Sequence, residues 1–387
     1  FDEVIDRHGT DCLKYDFGMK RKGRDDLLPL WVADMDFRLP DEILDEFHKR
    51  IDHGIFGYTD PLDEYFAAMN HWFSTRYGYT IEPEWVTLGA GIVYALGTSV
   101  RAFTEEGDAM MVMQPVYYPF SEVIKNDGRR LVNCQLRYEN NHYSIDFEKM
   151  EKMIREEGVK ALIFCNPHNP VGKIWDRSTL AKIGELCEKY HVTVISDEIH
   201  AEMAYPQYTH YPFASVSDTA ASCSVTFMAP SKTFNIAGIV TSYAIVPNDR
   251  IREEFYSFLE AGEFGDGTIF AYTATTAAYT YGAEWLQQMR MYIMENVRFV
   301  EEFMKQHLPK IKVYQPQASF LVWLDCRELK LSQDELVHLF KDKAGLALND
   351  GSIFGPGGEG HMRLNIGCPR SVLDKAMNAL KKAVDKK

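Results

Sequence analysis

The sequence of 387 residues predicts an α/β protein. It has a large domain, whose mostly parallel sheet is covered by helices, and a smaller α/β domain at the C-terminal end. From residue 85 onward, short apolar runs alternate with amphipathic stretches, which predicts alternating strands and helices. Few polar residues interrupt the apolar runs, as expected for strands that are buried on both faces. Residues 284–307 then repeat apolar side chains every three or four positions, which predicts a long helix joining two domains. We predict an N-terminal segment (1–45) that packs with the small domain, a large domain (46–283) and a small domain (284–387).

Each element is predicted from its apolar pattern and its end signals. Strands are predicted over 85–91 (ending in a turn), 109–116, 130–136, 159–167, 192–200, 223–228 and 239–246, and helices over 92–103, 118–128, 144–158 and 176–191. After the long helix, strands are predicted over 320–325 and 361–367, and helices over 332–345 and 371–387. Asp176 is a predicted N-cap, and Gly128 and Gly158 are predicted to end their helices.

Composition limits the partners and the location. The net charge of −14 disfavours nucleic acids and anionic membranes, since both are negatively charged. The seven cysteines are odd in number and form no CxxC pair, so we expect buried free thiols, a reducing compartment and no metal site. No apolar stretch reaches the ~18 residues of a membrane span, and the first residues lack the order of a signal peptide. The expected location is the cytoplasm.

A glycine-rich turn follows the first predicted strand. In TLGAGIVYALG, residues Gly91, Ile92 and Val93 begin a helix, whose free N–H groups and dipole favour a phosphate. The alternative interpretation is a tight turn between a strand and a helix that binds no ligand, because such a turn requires the same residues. The spacing is neither GxGxxG nor GxxxxGK[ST], which disfavours a nicotinamide-dependent dehydrogenase.

Three polar residues follow later strands. Asn169 in FCNPHNPVG would present an amide at the sheet edge, although Asx turns also explain it. Asp197 in VTVISDEIH ends an apolar strand, where a carboxylate is costly unless it meets a cation or caps a helix. Lys232 in APSKTFNIAG lies between two strand-like runs. Because ligands bind at the carboxyl ends of strands in open α/β sheets, we expect these side chains to meet.

A phosphate site, an amide, a buried carboxylate and a lysine are the four groups that pyridoxal phosphate needs. The helix start takes its phosphate, and the amide takes its phenolic oxygen. The carboxylate keeps its ring nitrogen protonated, and the lysine bonds its aldehyde as a Schiff base. The spacing therefore predicts a pyridoxal-phosphate enzyme that acts on amino acids.

The order of these motifs, ending in RLN (363–365), resembles that of the fold-type I pyridoxal-phosphate enzymes, aminotransferase class I/II, over essentially the whole chain. Four stretches resemble most closely the MalY/PatB-type cystathionine β-lyases, a group of C–S lyases. They are LWVADMDF (30–37), GYTD (57–60), APSKTFNIAG (229–238) and MRLNIGCPR (362–370).

The resemblance implies roles for the residues around the cofactor. Lys232 would hold the cofactor and act as general base, and Asp197 would pair with the ring nitrogen. Asn169 would face the phenolic oxygen, and Tyr117 in QPVYYPF would stack on the ring.

The resemblance also implies how the substrate and a second subunit are bound. Arg363 would hold the substrate α-carboxylate by a two-pronged contact, with Ala33 also at the substrate. Tyr58 of GYTD would reach the phosphate of the neighbouring subunit, which implies a homodimer with shared active sites.

Two positions depart from the pattern of many aminotransferases. Val240 stands where many have an arginine, and His200 where many have a tyrosine. The C–S lyase group shares both departures, and Ser231 is then the expected hydroxyl donor to the phosphate. His200 is expected as a cofactor contact, although a structural histidine explains this position equally well. Asp34 and Asp36 of LWVADMDF are expected to order a loop at the pocket mouth rather than to act in catalysis.

The function that the resemblance implies is α,β-elimination on L-cystathionine or L-cysteine, which gives a thiol, pyruvate and ammonia. An aminotransferase, with aromatic amino acids as candidate substrates, uses the same residues up to removal of the Cα proton and is the alternative. A non-catalytic regulator on the same fold is less favoured, because Lys232, Asp197, Asn169 and Arg363 are all present.

Overall fold

The structure is a computed structural model that describes residues 1–264 and 267–386. Within these ranges one sheet of seven strands forms the centre of the large α/β unit. Its strands are β1 (Val86–Gly89), β2 (Ala109–Val112), β3 (Arg130–Asn133), β4 (Val159–Cys165), β5 (Thr193–Asp197), β6 (Ser224–Met228) and β7 (Ser242–Ile245). They lie in the order β1-β7-β6-β5-β4-β2-β3. Only β7 is antiparallel to its neighbours, so the prediction of a mostly parallel sheet is confirmed.

The helices cover both faces of this sheet. The α-helices are Gly18–Lys22, Asp41–Asp52, Asp63–Tyr77, Ile92–Phe103, Pro119–Asn126, Phe147–Glu157, Arg177–Lys189, Asp218–Ser222, Pro230–Thr233, Asp249–Ala261, Ile269–Tyr281, Ala283–His307, Gln333–His338 and Arg370–Asp385. Along β4, Leu162 and Phe164 pack into one apolar cluster, whereas Ala161 and Ile163 pack into the cluster on the opposite face. This two-sided burial explains why the strand sequences lack polar alternation.

Helix ends follow the predicted signals. The Asp176 side chain accepts a hydrogen bond from the Thr179 N–H and begins the helix that follows. Gly158 adopts a left-handed conformation with φ of 65°, and its N–H donates to the Ile154 carbonyl. Both predictions are confirmed, because these residues satisfy backbone groups that a helix end leaves unpaired.

Several predicted elements are shorter than expected, among them the strands predicted over 130–136, 192–200 and 239–246, and two further cases show a physical reason. The strand predicted over 109–116 ends at Val112, just before a segment in which Pro115 lacks an N–H for the ladder. The helix predicted over 332–345 is α-helical only over Gln333–His338 and continues as a π-helical turn over Leu339–Lys343. Lys387, the last residue of the predicted terminal helix, lies outside the described residues.

The long helix Ala283–His307 leads into a second, antiparallel sheet of four strands. These are β8 (Lys312–Val313), β9 (Leu321–Asp325), β10 (Asn349–Asp350) and β11 (His361–Asn365), in the order β8-β9-β11-β10.

The N-terminal chain lies against this C-terminal part. Its strand Leu28–Pro29 pairs in parallel with the strand Leu346–Ala347. Elsewhere in the fold, a two-stranded hairpin joins Arg137–Glu139 to His142–Ser144. The proposed domain boundaries after residues 45 and 283 stay predictions. No helix in the described ranges is long and apolar enough to cross a membrane.

Candidate active site

Loops at the carboxyl edge of the large sheet enclose a cavity of about 170 Å³. The loops follow β1, β2, β4, β5 and β6, as expected for an open α/β sheet. Ten of the predicted site residues line the cavity: Ala33, Gly91, Ile92, Val93, Tyr117, Asn169, Asp197, His200, Ser231 and Lys232. A larger surface groove of about 970 Å³ lies elsewhere and contains none of these residues.

Lys232 lies on a one-turn helix, Pro230–Thr233, that begins two residues after β6 ends. Its Nζ donates a hydrogen bond of 2.7 Å to the Ala33 carbonyl. Burial lowers the pKa of the Lys232 ammonium, against an opposing effect of the Asp34 carboxylate. The amine is therefore held at the cavity with a reduced affinity for its proton, as a nucleophile or base requires.

Asp197 ends β5 and lies opposite Cys165 in the register with β4. Its Oδ1 accepts a hydrogen bond of 3.1 Å from the Ile199 N–H. Burial raises the pKa of the Asp197 carboxyl to about 7, and the neighbouring Glu198 adds to the rise. A neighbouring cation would stabilise the ionised form of this buried carboxylate. The protonated ring nitrogen of pyridoxal phosphate is such a cation.

Arg363 lies on β11 and reaches the cavity through Asn169. Its Nη1 donates to the Asn169 Oδ1 at 3.1 Å, and its Nη2 donates to the Trp31 carbonyl and the Asn349 Oδ1 at 3.1 and 3.2 Å. Its buried Nε has no hydrogen-bond partner in the described part of the chain. Burial lowers the pKa of the guanidinium to about 10, so the side chain stays charged at neutral pH. A buried cation with an unpaired donor is suited to an anionic ligand.

The glycine turn is built for a close approach of a ligand to the backbone. Gly91 has a φ of 89° and is the N-cap of the helix Ile92–Phe103. The free N–H groups and positive dipole end of this helix begin at the cavity. Ser231 lines the same cavity, and so does Val240, the residue at the position of the family's arginine.

His200 and Tyr117 also lie at the cavity. The His200 Nδ1 is 3.2 Å from the Ser319 Oγ. Burial, with the charges of Lys232 and Arg363, lowers the pKa of His200 to about 3, so the ring is neutral. The Tyr117 ring contacts the ring of Tyr118 and that of Phe120 in the helix Pro119–Asn126, which fixes its position beside the cavity.

Tyr58 is the one predicted site residue that lies far from the others, with its side chain fully exposed. It makes no contact with the cavity of its own chain in the described residues. The role implied for it, at the site of a neighbouring subunit, requires a second copy of the chain.

Several residues at the site were not predicted from the sequence. Cys165, Ile199, Ala237 and Thr241 line the cavity. Asn235 and Asn365 hold the loop that contains Ala33, by bonds to the backbone of Met35 and Val32 among others. The two asparagines belong to the motifs SKTFN and RLN. Their position in these motifs is the sequence feature from which a role at the site could have been predicted.

The residues at the cavity fit pyridoxal phosphate. They supply an amine, a buried carboxylate, a helix N-terminus and an amide turned by Arg363. Each would meet one part of the cofactor: the aldehyde, the ring nitrogen, the phosphate and the phenolic oxygen.

Residues 25–380 match the family model of the aminotransferases of class I and II, and the chain belongs to this family. The chain is 43% identical to the cystathionine β-lyase PatB of Bacillus subtilis over 99% of both chains. It is 33% identical to the protein MalY of Escherichia coli over 99% of this chain and 98% of that protein. Among solved structures, cystalysin of Treponema denticola with its pyridoxal 5'-phosphate cofactor superimposes with a TM-score of 0.96 at 36% identity, covering 100% of this chain and 98% of that one.

Proposed function

We propose that the protein is a pyridoxal-phosphate-dependent C–S β-lyase that converts L-cystathionine or related L-cysteine derivatives into a thiol, pyruvate and ammonia. The observation that carries the proposal is the convergence of Lys232, Asp197 and Asn169 on one cavity, with Arg363 bonded to Asn169 at its edge. The full-length similarity to PatB and cystalysin supports β-elimination as the reaction.

In this proposal, each of four side chains of the protein has a separate role in the reaction. When bound, pyridoxal phosphate supplies an electron sink next to the substrate Cα. Lys232 would bind the cofactor aldehyde at rest, and its amine, once free, would take the proton from Cα. Asp197 would hold the proton at the ring nitrogen, and Asn169 would donate its amide to the phenolic oxygen. Arg363 binds the substrate carboxylate and fixes which Cα bond faces Lys232.

The atoms of the elimination balance with water as the only co-substrate. The Cα–H bond breaks with its proton passing to Lys232, and the Cβ–S bond breaks with its electron pair passing to sulfur. The thiolate takes up a proton and leaves. Hydrolysis of the released aminoacrylate gives pyruvate and ammonia.

Ser231, His200 and the helix start at Gly91 complete the cofactor site in this proposal, and Tyr117 packs against the ring. Ser231 and the N–H groups of the helix would bind the phosphate. His200 would donate to the cofactor as a neutral ring. Ala33 borders the substrate, since its carbonyl lies next to Lys232.

The active unit in this proposal is a homodimer with shared sites. Exposed apolar side chains gather around Tyr58, namely Ile55, Phe56 and Leu62, and such a patch is typical of an interface. Tyr58 would then reach the phosphate in the partner's cavity. The seven cysteines are all free and buried, which favours a reducing compartment such as the cytoplasm.

The test uses purified protein with added pyridoxal phosphate and L-cystathionine, without any 2-oxo acid, and follows pyruvate and free thiol. We expect equimolar pyruvate and thiol, with a loss of at least about 10³-fold in Lys232→Ala. Lys305→Ala, which changes an exposed lysine, should leave the rate unchanged.

Turnover that begins only after 2-oxoglutarate and an aromatic amino acid are added would instead make the protein an aminotransferase. Protein without absorption at roughly 400–430 nm after incubation with the cofactor, and without turnover of either kind, would favour a non-catalytic regulator.

A further inference from the structure

Four charged residues of the N-terminal segment and the following loop form a compact group, which we call the N-terminal ion cluster: Arg7, Lys14, Asp34 and Asp36. Arg7 lies 2.9 Å from the Asp34 carboxylate and 2.7 Å from that of Asp36, and Lys14 lies 2.8 Å from Asp36. Lys14 and Asp36 are 1% and 5% exposed. Buried ion pairs add little to stability compared with apolar side chains of similar volume, so the cluster calls for another explanation.

The cluster holds the outer side of the loop that carries Ala33. Asp34 directly follows Ala33, whose carbonyl accepts the hydrogen bond from the Lys232 Nζ at 2.7 Å. Arg7 also donates to the Met35 carbonyl at 3.2 Å. The backbone carbonyls of Asp34 and Met35 thus accept hydrogen bonds from Lys14 and Arg7 of the N-terminal segment.

The inner side of the same loop is held by two asparagines from the catalytic motifs. Asn235, three residues after Lys232, accepts from the Met35 N–H at 2.9 Å and donates to the Met35 carbonyl at 2.8 Å. Asn365, two residues after Arg363, donates to the Asp34 carbonyl at 2.7 Å. The loop therefore connects the segment of the proposed base with the segment that binds the carboxylate.

We propose that the N-terminal ion cluster is a set of positioning residues for proton removal by Lys232, which acts by fixing the Ala33 carbonyl as the acceptor for the free Lys232 amine. This rests on the proposed function, in which that amine takes the Cα proton. One N–H bonded to a fixed carbonyl limits the rotation of the amine, so that its lone pair keeps one direction. A loop free to shift would leave the amine with several orientations.

The two carboxylates of the cluster differ in their effect on the charge of Lys232. The Asp34 carboxylate, with that of Asp197, raises the pKa of the Lys232 ammonium against the effects of burial and Arg363, whereas Asp36 is not among these groups. Asp36 therefore offers a substitution that disturbs the position of the loop without removing a charge that acts on the Lys232 amine.

The first experiment compares Asp36→Asn, Lys14→Met and the double variant Lys14→Met/Asp36→Asn with wild-type holoenzyme. We expect kcat to fall about 10- to 100-fold in Asp36→Asn with KM changed less than about threefold. The double variant removes both charges of the Lys14–Asp36 pair, and Arg7 keeps its pair with Asp34, so its thermal stability should rise above that of Asp36→Asn while kcat stays low. A purely structural role predicts that kcat recovers together with stability. Glu157→Gln, which breaks an exposed pair with Arg130, is the matched control.

The second experiment needs no turnover. Cofactor-free protein is treated with a limiting amount of acetic anhydride, and acetylation of Lys232 is measured by peptide mass spectrometry. We expect Lys232 to react at least about threefold faster in Asp36→Asn than in wild type, because the amine loses its bond to Ala33. Unchanged acetylation together with an unchanged kcat would overturn the proposal.

These two readouts separate this proposal from the proposed function. A wild-type protein that makes no pyruvate from L-cystathionine contradicts the lyase assignment, whereas the acetylation of Lys232 still tests the role of the cluster. If Asp36→Asn does not fold, Arg7→Met at a partly exposed side chain removes the contacts of Arg7 with Asp34, Asp36 and the Met35 carbonyl in the same loop.

Discussion

The Nη1 of Arg363 lies 3.1 Å from the side-chain Oδ1 of Asn169, although the two residues are 194 positions apart in the chain. The bond occupies the amide oxygen of Asn169, so that its NH₂ group is the part left to face the cavity. In the proposed function Arg363 would therefore have two tasks at this site. It would bind the substrate carboxylate, and it would orient the amide of Asn169 toward the phenolic oxygen of the cofactor.

The first prediction concerns Arg363→Lys. A lysine cannot reproduce the fork that donates to Asn169, to the Trp31 carbonyl and to Asn349 at once. We expect KM for L-cystathionine to rise about 100-fold, since a charge-assisted pair contributes about 1.5–3 kcal/mol. Initial rates against substrate concentration measure it. Arg130→Lys, an exposed arginine, serves as the control, and an unchanged KM in Arg363→Lys would remove Arg363 from the substrate site.

The second prediction concerns the stability of the cofactor-free protein. The folded-state pKa of Asp197, about 7, lies above its ordinary value of 3.8. The folded protein therefore binds this proton more tightly than the unfolded chain does. The resulting loss of stability is absent below about pH 4, grows between pH 4 and 7, and is complete above pH 7. Asp197→Asn removes the charge that causes it.

We expect Asp197→Asn to melt roughly 2–6 °C above wild type at pH 8 in the absence of cofactor, with the difference fading toward pH 4. Differential scanning calorimetry across this range measures it, and Asp249→Asn, at an exposed carboxylate, shows the effect of removing an ordinary surface charge. An equal or lower melting temperature at pH 8 would show that Asp197 already has a cationic partner in the protein itself.

The third prediction is that His200 stays neutral throughout the working range. Its pKa, lowered to about 3 by burial first and then by Lys232 and Arg363, lies below the ordinary value of 6.5. The unfolded chain therefore binds more protons between pH 3 and 6.5, and this residue makes the protein lose stability as the pH falls through that window. The ¹⁵N resonances of its ring should not shift between pH 5 and 8. His200→Gln assigns the resonance, and a midpoint near pH 6.5 would contradict the prediction.

The fourth prediction tests whether the sites are shared between subunits. Tyr58→Ala and Lys232→Ala should each be inactive or strongly impaired. If Tyr58 serves the partner's site, a hybrid of the two variants contains one site with both lesions and one intact site. Co-expression in equal amounts should then restore about a quarter of the wild-type activity. No recovery in a mixture proven to contain hybrids would place Tyr58 at the site of its own chain, or at none.

The local patterns of the sequence predicted the parts of the fold that depend on neighbours in the chain. The long helix Ala283–His307, the cap at Asp176 and the helix end at Gly158 follow the expected positions. The end of the helix predicted over 332–345 did not follow. There, the Ala344 N–H bonds to the Leu339 carbonyl five residues earlier, a wider turn that apolar spacing does not distinguish from an α-helix.

The sequence by itself determined the mostly parallel sheet and the presence of Lys232, Asp197 and Asn169 at its carboxyl edge, because a strand-and-helix pattern sends every such strand end to the same side. Only the tertiary structure decided the partners across long separations. They include the Ala33 carbonyl at Lys232, the orientation of Asn169 by Arg363, and the ion cluster that joins the N-terminal segment to the loop before Phe37. Spacing along a chain encodes which face of an element a residue occupies, whereas contacts between distant segments depend on how those elements pack.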